Sequence, residues 1–417
     1  MARVDLTNVA DVGVEPGTLP ETMAAWVIRQ DREGQPVDAF QLEQIEVPEP
    51  GPFEVVVRVM AAGVNYNNVW AALGKPVSVF RYHPEEDHHI GGSDASGIVW
   101  KCGEGVTRWQ PGDEVVIHCN QASYEDPEVH GFDPLAAPSQ RIWGYETSWG
   151  SFAQFTKVQE QQLLHKPASL YWEEAASYGL TYFTAYRMLI DQCGLQAGHK
   201  VLIWGAAGGL GVFATQLCKL TGAQCVGVVS SEAKGGLCME LGAKGYINRN
   251  EYAGMMRRGG ETPDEEKARF AESRRFAKSV TEILGDSPDI VFEHVGQATF
   301  PTSVFVVKPF GKVVICAGTS GFNLDFDVRY LWMRQKRIIG SHFANAWECH
   351  RANELMDQGL VRPVLWRTMG FDGVGEAHQL MLENKHLGKI AVLVGAEREG
   401  QGKSAEGPGA IHAEVGA

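Results

Sequence analysis

The chain has 417 residues, of which 44% are hydrophobic and 21% charged. This length is sufficient for two or three domains, each with a core of its own. The formal net charge of −14 argues against a nucleic-acid groove or an anionic membrane surface as the main partner, so an acidic cofactor or substrate would need local cationic pockets.

The termini and the cysteines indicate where the protein works. The N-terminal sequence up to Gly17 has no basic region followed by an apolar stretch, which argues against a signal peptide. We find no apolar run of the roughly 18 residues that span a bilayer. The eight cysteines are scattered without a CxxC pair, which argues against a zinc ribbon or a disulfide scaffold. We therefore expect a cytoplasmic protein with reduced thiols.

The first part of the chain is predicted to be rich in β-structure. Residues 1–22 are polar with Pro and Gly and are expected to form an N-terminal arm. From Met23 to about Lys166, short alternating strands are separated by turn residues, as in Phe53 to Val64 and Ser96 to Gly103. The turn-rich stretch 120–140 is predicted to be an exposed loop. Together these features predict a compact β-rich domain.

A dinucleotide-binding turn is predicted near the middle of the chain. Trp172 to Gln192 has helical periodicity with acidic residues in its first turn. The segment VLIWGAAGGLG, Val201 to Gly211, is an apolar strand that enters a glycine-spaced turn and then a helix. Such a turn lets the backbone approach a pyrophosphate at the helix N-terminus, although glycines at a strand end also occur for packing alone. The predicted contacts are Gly205, Gly208, Gly209, Leu210 and Gly211.

The pattern after this turn alternates strands and helices. DIVFEHVG (Asp289 to Gly296) and GKVVICAG (Gly311 to Gly318) are predicted to be parallel strands. The charged insertion from Tyr252 to Leu284 is predicted to be a helical surface that faces solvent or another subunit. Ile338 to Gly340 and the helical segment Glu348 to Gln358 are expected to return to the first domain, which closes with the strand Lys389 to Ala396.

These patterns predict an α/β architecture in which a doubly wound parallel sheet interrupts a β-rich domain. The expected dinucleotide domain covers residues 174–324. The expected substrate domain consists of residues 23–173 and 325–396, and residues 397–417, rich in Gly, Glu and Ala, are expected to be a flexible tail.

The residues after the second strand indicate the preferred nucleotide. An NAD site needs an acid at this point, to accept a hydrogen bond from the ribose 2′-hydroxyl. The chain has Ser230 and Ser231 there, with Lys234 shortly after and Arg249 further on. Hydroxyls and cations suit a 2′-phosphate, so we expect NADPH. The alternative is that Lys234 and Arg249 are only solvated.

The order of several motifs resembles the medium-chain dehydrogenase/reductase superfamily: AAGVNYNNVW, GSDASGIV, PGDEVV, GSFAQF and WGAAGGLG. Longer strings are similar to the crotonyl-CoA carboxylase/reductase family: RIWGYETSWGSFAQF, VFEHVGQATF, DVRYLWM and RIIGSHFAN. The resemblance covers roughly Ala24 to Val394. It implies a Rossmann-type domain together with a GroES-like substrate domain.

The resemblance implies reduction of a short-chain enoyl-CoA by NADPH and capture of the resulting enolate by CO2. The zinc alcohol dehydrogenases of the superfamily carry a catalytic cysteine where this chain has Asn65, and their four-cysteine lobe is missing here. We therefore expect no metal, although His83, His88 and His89 form a group with acidic neighbours. The alternatives are an NADPH-dependent enoyl-CoA reductase without carboxylation and a non-enzymatic protein that keeps only the nucleotide site.

The resemblance also assigns residues to the reaction. Asn67 would donate a hydrogen bond to CO2, Glu146 and His342 would anchor a water that donates to the second CO2 oxygen, and Tyr145 would exclude bulk water. Asn67 could instead satisfy a turn, and the others could be ordinary structural groups. Tyr145 stands where some relatives have Phe, and its phenol could protonate Cα. Val295 in EHVG replaces an expected proline, and TSWG is not the commonest sequence after YE; either change could alter the substrate or the commitment to CO2.

The remaining predictions concern binding. Thr181 and Thr184, on the helix before the glycine turn, are candidates for holding the nicotinamide carboxamide, with helix packing as the alternative. A basic segment could bind the polyanionic CoA, or it could be a surface or subunit contact: Arg329, Arg334, Lys336 and Arg337. We expect a homodimer or homotetramer.

Overall fold

The computed structural model describes residues 9–257 and 260–414. Two compact units divide the chain. Of the described residues, the first unit holds those up to Leu180 and Ala344–His412, and the second unit holds Thr181–Phe343 with residues 413 and 414. An interrupted first unit was predicted, but the boundaries differ from the expected 173/174 and 324/325.

Nineteen strands are formed by the described residues. In chain order they are β1 (Thr22–Ile28), β2 (Gln41–Glu46), β3 (Glu54–Gly63), β4 (His89–Ile90), β5 (Ala95–Cys102), β6 (Glu114–Ile117), β7 (Asn120–Gln121), β8 (Arg141–Ile142), β9 (Phe155–Gln159), β10 (Leu163–His165), β11 (Lys200–Trp204), β12 (Gln224–Val229), β13 (Gly245–Asn248), β14 (Ile290–Glu293), β15 (Lys312–Ile315), β16 (Arg337–Gly340), β17 (Val364–Met369), β18 (Lys389–Leu393) and β19 (Ile411–His412).

Most helices are short, and α8 is by far the longest. They are α1 (Pro36–Ala39), α2 (Tyr66–Leu73), α3 (Glu128–Gly131), α4 (Trp172–Ala175), α5 (Gly179–Tyr186), α6 (Gly211–Thr221), α7 (Glu232–Glu240), α8 (Pro263–Leu284), α9 (Phe300–Val306), α10 (Arg329–Trp332), α11 (Ala346–Asp357) and α12 (Val374–Leu382). The helix predicted over 172–192 is divided into α4, α5 and a π-helical turn, Arg187–Gln192. In the part of the chain that the structure describes, no helix combines the length and apolar character needed to cross a bilayer.

The first unit is built on a mixed β-sheet of eight strands. Its main path runs β10-β6-β5-β3-β18-β17-β19, and β9 pairs with β3 off this path. The central strand β3 is buried along nearly its whole length because neighbours cover both faces, as its run of Val and Ala residues predicts. A smaller sheet has the order β2-β1-β4. This arrangement confirms the predicted β-rich domain.

Both predicted tails are ordered where the structure describes them. Residues 9–21 pack on the first unit, where the Trp100 indole donates to the Thr18 carbonyl over 2.8 Å. At the other end, the Glu174 carboxylate accepts from the backbone N–H of Ala410 at 2.8 Å, and β19 pairs with β17. The expectation of a flexible tail is therefore wrong for residues 397–414, because a composition rich in Gly and Glu does not reveal that a distant carboxylate accepts from the backbone of the tail.

The second unit contains a six-stranded parallel sheet of order β13-β12-β11-β14-β15-β16. This is the strand order of a doubly wound dinucleotide fold, with the order reversing between β11 and β14. The charged insertion is not only a surface, since α8 buries Phe276, Val280 and Leu284. Phe276 stacks on Trp204 of β11 with ring centroids 5.3 Å apart.

The assignment of Ile338 to Gly340 to the first domain is wrong. These residues belong to β16, which pairs in parallel with β15 and forms the last strand of the six-stranded sheet. An edge strand is exposed on one side, so its apolar residues alternate in the same way as those of a strand in the β-rich domain. The dinucleotide unit therefore ends about twenty residues later than expected, at Phe343.

Candidate active site

The glycine turn after β11 admits only glycine at two of its positions. Gly205 has φ +58°, and a side chain there would come within 2.8 Å of the His294 ring nitrogen Nε2. A side chain at Gly211, where α6 begins, would overlap the backbone of Ala206. The turn therefore packs closely against the first residue of α6, in the tight geometry typical of a pyrophosphate-binding turn at a helix N-terminus. The other predicted contacts lie in the same turn: Gly208, Gly209 and Leu210.

A buried carboxylate fixes the loop that follows β14, on the other side of the point where the strand order reverses. Glu293 is fully buried and accepts from Ser303 Oγ at 2.6 Å, Thr299 Oγ1 at 2.9 Å and the N–H of Val295 at 2.7 Å. Burial raises the pKa of Glu293, and the hydrogen bonds act against this rise. No local sequence pattern marks this network, which lies at the crevice where dinucleotides bind in such folds.

Two cations that repel each other, Lys234 and Arg249, follow β12 in the chain. Burial lowers the pKa of Lys234, and the neighbouring Arg249 lowers it further by charge repulsion. Ser231 caps α7, since its Oγ accepts from the Lys234 N–H at 3.4 Å. Asn250 binds the Ser230 carbonyl at 2.9 Å and so joins the two segments. A pair of repelling cations beside hydroxyl groups fits the 2′-phosphate of a dinucleotide.

The two threonines of α5 also lie in the second unit. Thr184 is buried. The hydroxyl of Thr181 is buried as well and has no hydrogen-bond partner among the described residues. A buried hydroxyl is costly when it is unpaired, so a ligand group at Thr181 would compensate it.

Asn67 lies in the first turn of α2 and its amide is held on two sides. Its Nδ2 donates to Ser93 Oγ at 2.8 Å, and its Oδ1 accepts from Asn68 Nδ2 at 2.9 Å. Asn67 does not cap the helix, because the N-cap residue is Asn65. Capping is therefore excluded, and the role of Asn67 in the reaction stays a prediction.

Tyr145 and Glu146 lie in the turn that follows β8. Glu146 Oε2 accepts from the N–H of Ile142 at 2.8 Å, which closes the turn. Tyr145 is partly buried, and its ring lies 6.5 Å from that of Tyr82. Burial raises the pKa of Tyr145, so its phenol is a weaker acid than a solvated tyrosine.

Backbone contacts join the Asn67 segment to the Tyr145 turn. Gly144 has φ +71°, and a side chain there would overlap the carbonyl of Gly92. The N–H of Gly92 donates to Asn68 Oδ1 at 2.9 Å. Gly92 thus touches both segments, so the first unit brings Asn67, Tyr145 and Glu146 into one region.

His342 belongs to the second unit, two residues beyond the end of β16. Its side chain is exposed. The neighbouring Phe343 has φ +46° and its ring packs against Phe183 at 6.4 Å. The packed Phe343 fixes the backbone beside His342, and the role of His342 stays a prediction.

The predicted CoA-binding residues have different surroundings. Lys336 Nζ donates to the carbonyls of Val304 and Phe305 at 2.7 and 3.0 Å, at the end of α9. Burial lowers the pKa of Lys336 to about 8. These contacts favour a helix-capping role for Lys336 over CoA binding. Arg329 forms an exposed ion pair with Asp327, and Arg337 is exposed on β16.

The three histidines of the RYHPEEDHH segment do not converge. His83 Nε2 lies 3.2 Å from His89 Nδ1, and the two rings are stacked. His88 instead contacts Asp87 at 2.8 Å and the Trp149 ring. Among residues 9–257 and 260–414, no three His, Cys, Asp or Glu side chains form a group that could hold a metal ion.

A buried ion pair supports the start of α2 and was not predicted. Lys389 Nζ lies 2.9 Å from Asp94 Oδ2, and both side chains are almost fully inaccessible. Asn65 Nδ2 also donates to Asp94 Oδ2 at 2.9 Å, and Lys389 contacts Asn65 Oδ1. Asn65, which stands in place of the catalytic cysteine of zinc enzymes, is therefore a hydrogen-bonding residue in this chain.

Comparisons with known proteins agree with this architecture. The family model described as Alcohol dehydrogenase GroES-like domain matches residues 51–168. The model described as Zinc-binding dehydrogenase matches residues 209–358. The GroES-like match lies in the first unit, and the dehydrogenase match lies mainly in the second unit.

Individual relatives are similar over nearly the whole chain. A crotonyl-CoA carboxylase/reductase of Cereibacter sphaeroides is 51% identical over 400 residues, which cover 94% of this chain and 93% of that protein. A solved crotonyl-CoA carboxylase/reductase in complex with NADP is 47% identical, covers 93% of this chain and 98% of its own, and superposes with a TM-score of 0.88. A 2-octenoyl-CoA carboxylase reductase solved with NADP and 2-octenoyl-CoA is 38% identical, with a TM-score of 0.87 and coverage of 93% and 91%.

Proposed function

The chain belongs to the crotonyl-CoA carboxylase/reductase family of the medium-chain dehydrogenases/reductases, and we propose that it catalyses the reductive carboxylation of a short-chain 2-enoyl-CoA with NADPH and CO2. With crotonyl-CoA the product is ethylmalonyl-CoA. The observation that supports carboxylation most directly is the oriented amide of Asn67, held by Ser93 and Asn68 beside the Tyr145–Glu146 turn.

The reaction needs two events at adjacent carbons of the substrate. NADPH supplies a hydride to Cβ of the enoyl thioester. The electron pair that this leaves on Cα and the thioester oxygen forms a bond to the carbon of CO2, and one C=O bond of CO2 opens to a carboxylate. No proton is consumed at Cα, so any proton that reaches the enolate diverts the reaction to the saturated thioester.

Asn67 is proposed to hold CO2. One N–H of its amide is used on Ser93, which leaves the second N–H as a donor for a CO2 oxygen. Glu146 uses Oε2 on the backbone of Ile142, and its other oxygen is proposed to hold a water that donates to CO2. The role of His342 in the same reaction is kept as a separate proposal. Oriented donors of this kind stabilise the charge that develops on the CO2 oxygens.

Tyr145 is proposed to separate this region from bulk water by its ring. Its phenol is a possible proton source, but burial raises its pKa, which weakens it as an acid. Proton transfer to Cα from Tyr145 is therefore disfavoured relative to attack on CO2. A hydroxyl at position 145 is therefore compatible with carboxylation as the main reaction.

The cofactor is NADPH. The cation pair of Lys234 and Arg249 supports binding of the 2′-phosphate, and the glycine turn with the N-terminus of α6 supports binding of the pyrophosphate. Thr184 and the unpaired hydroxyl of Thr181 are proposed to contact the nicotinamide carboxamide.

The edge strand β16 is proposed to bind a second copy of the chain. β16 ends the six-stranded sheet, and Ile338 on it is exposed. Three large apolar side chains that precede β16 in the sequence are exposed as well: Val328, Trp332 and Met333. An open, apolar edge favours strand pairing with an identical partner. Light scattering should give a dimer or tetramer mass, and Ile338→Lys should lower it.

CoA binding is proposed for Arg329 and Arg337 only. Their charge reversal should raise the KM for crotonyl-CoA and leave the KM for NADPH unchanged. A change of oligomeric mass without a change of KM would show that these two arginines contribute to the subunit contact and not to CoA binding. We also propose a cytoplasmic location, because all eight cysteines are free thiols.

A product assay tests the proposed function. Crotonyl-CoA and NADPH are incubated with saturating bicarbonate and carbonic anhydrase, and the CoA esters are separated and quantified. Ethylmalonyl-CoA is expected as the dominant product. Butyryl-CoA as the only product would refute carboxylation and identify a plain enoyl-CoA reductase.

A further inference from the structure

The direction of the Asn67 amide is decided by two completely buried neighbours, Asn68 and Ser93. A carboxamide presents an acceptor on one side and a donor on the other, and half a turn about its last bond exchanges the two. Only a donor at the right place can hold a CO2 oxygen. What fixes the direction of this amide therefore affects the proposed function.

The direction of the Asn67 amide follows from the backbone N–H of Gly92. The N–H of Gly92 can only donate, and it lies 2.9 Å from the side-chain oxygen of Asn68. The Asn68 amide must therefore turn its Nδ2 away from Gly92. That Nδ2 lies 2.9 Å from Asn67, so Asn67 has to present its oxygen to Asn68 and its nitrogen to Ser93, 2.8 Å away.

Burial makes this chain of hydrogen bonds obligatory. Asn68 and Ser93 are both completely inaccessible to solvent, whereas Asn67 is only partly buried. Water therefore cannot replace a lost hydrogen-bond partner of Asn68. If the Asn68 amide were turned by 180°, its Nδ2 would face the N–H of Gly92, and two donors would be left without acceptors. Asn67, by contrast, keeps a side open to a ligand.

We propose that Asn68 is a positioning residue for carboxylation: through Gly92 it sets the direction of the Asn67 amide and so directs the free N–H of Asn67 towards CO2. Ser93 assists by accepting the other N–H. This proposal rests on the proposed function, because it assigns Asn67 to CO2. It adds a residue that is completely buried and acts through another.

The decisive variant is Asn68→Asp. An aspartate keeps the size of the side chain and still accepts from Gly92, but its second oxygen can no longer donate to Asn67. The Asn67 amide then turns, with its nitrogen towards Asp and its oxygen towards the hydroxyl of Ser93. We expect the ratio of ethylmalonyl-CoA to butyryl-CoA to fall about tenfold, as for one lost hydrogen bond in the transition state.

The product ratio is the readout because it is independent of the amount of folded enzyme. Each turnover gives one product or the other, so loss of active protein lowers the rate and not the ratio. Ser93→Ala keeps the direction set by Asn68, and we expect its ratio to change less than about threefold. Asn353→Asp is the matched control, since Asn353 is also a buried amide bonded on both sides, to Tyr178 and His165.

The outcomes separate this proposal from the proposed function. Butyryl-CoA alone from the unaltered enzyme would overturn the function itself. If the enzyme carboxylates and Asn67→Ala lowers the ratio, an unchanged ratio in Asn68→Asp would overturn the positioning role alone. An equal fall in Asn68→Asp and Asn353→Asp would also overturn it. If Asn68→Asp yields too little protein to assay, Asn68→Ala provides the same comparison, since it removes the donor to Asn67, and its ratio must also fall.

Discussion

Replacing Lys389 by methionine should strongly destabilise the first unit. The Lys389 ammonium contacts Asp94 at 2.9 Å and the Val64 carbonyl at 3.0 Å, and it also contacts Asn65. Methionine has a similar length and fills the same space, but it makes none of these bonds. Asp94 would keep Asn65 and the N–H of Leu180 as donors and would lose its only buried counter-charge within 4 Å among the described residues.

The size of the effect follows from burial. Side-chain exposure is 1% for Lys389 and 0% for Asp94, so solvent does not screen the remaining carboxylate. Removal of one partner of such a pair costs about 3–5 kcal/mol. For a unit of this size that corresponds to a fall of about 10 °C in the unfolding midpoint. We expect the loss to appear in the calorimetric transition of the first unit.

Two controls test the reasoning. Lys101→Met breaks an exposed pair with Glu49, whose side chain is 70% exposed, and should cost less than about 1 kcal/mol. Asp94→Asn added to Lys389→Met removes the isolated charge and should recover part of the lost stability. The reasoning is refuted if Lys389→Met lowers the midpoint no more than Lys101→Met, or if the double variant is no more stable than Lys389→Met.

Three further predictions concern the cofactor, the product and acid stability. Arg249→Leu should raise the KM for NADPH at least about tenfold, because a charge-assisted bond to the 2′-phosphate is lost, and leave that for NADH unchanged. Tyr145→Phe should not increase the butyryl-CoA share, whereas Tyr145→Ala should increase it by admitting water. Burial lowers the pKa of His378 from 6.5 to about 4, so between these pH values the unfolded state binds a proton that the folded state does not. The free energy of unfolding therefore falls as the pH drops from 6.5 to 4, by about 1.4 kcal/mol per pH unit. In urea titrations at several pH values, His378→Gln should flatten this slope.

Each of these predictions can fail clearly. Equal changes of KM for NADPH and NADH in Arg249→Leu would place Arg249 away from the 2′-phosphate. A larger butyryl-CoA share in Tyr145→Phe would show that the hydroxyl protects the enolate from protons. An unchanged acid slope in His378→Gln would mean that other buried histidines, such as His118 with its pKa lowered to about 3 by burial, dominate the pH dependence.

The dinucleotide unit was the most predictable part of the fold. The strands predicted at Val201, Asp289 and Gly311 occur as β11, β14 and β15, because parallel strands buried on both faces form continuous apolar runs. β16 was assigned to the wrong unit, since an exposed edge strand has no such run. A local pattern states that a strand exists but not which sheet it joins.

For the candidate site, local sequence motifs supplied the candidate residues, and the roles of these residues stay predictions. The motifs NYNNVW and WGYET contain Asn67, Tyr145 and Glu146, and the structure has all three residues in the first unit. The pair of Asp94 and Lys389 joins residues far apart in the chain, and no local pattern marks such a partner. Lys336 resembled an anion-binding residue by composition, and its actual partners are helix carbonyls that only the folded chain brings to it.

The contact between Gly92 and Gly144 has a consequence for directed evolution. Backbone meets backbone there, and a side chain at Gly144 would overlap a carbonyl. Saturation libraries that include these glycines will consist largely of inactive clones, whatever acyl chain is selected for. Diversity is better placed at Tyr82, a residue that is 39% exposed and whose ring lies 6.5 Å from that of Tyr145. Substitutions there can change the surroundings of Tyr145 without disturbing the contact between the two glycines.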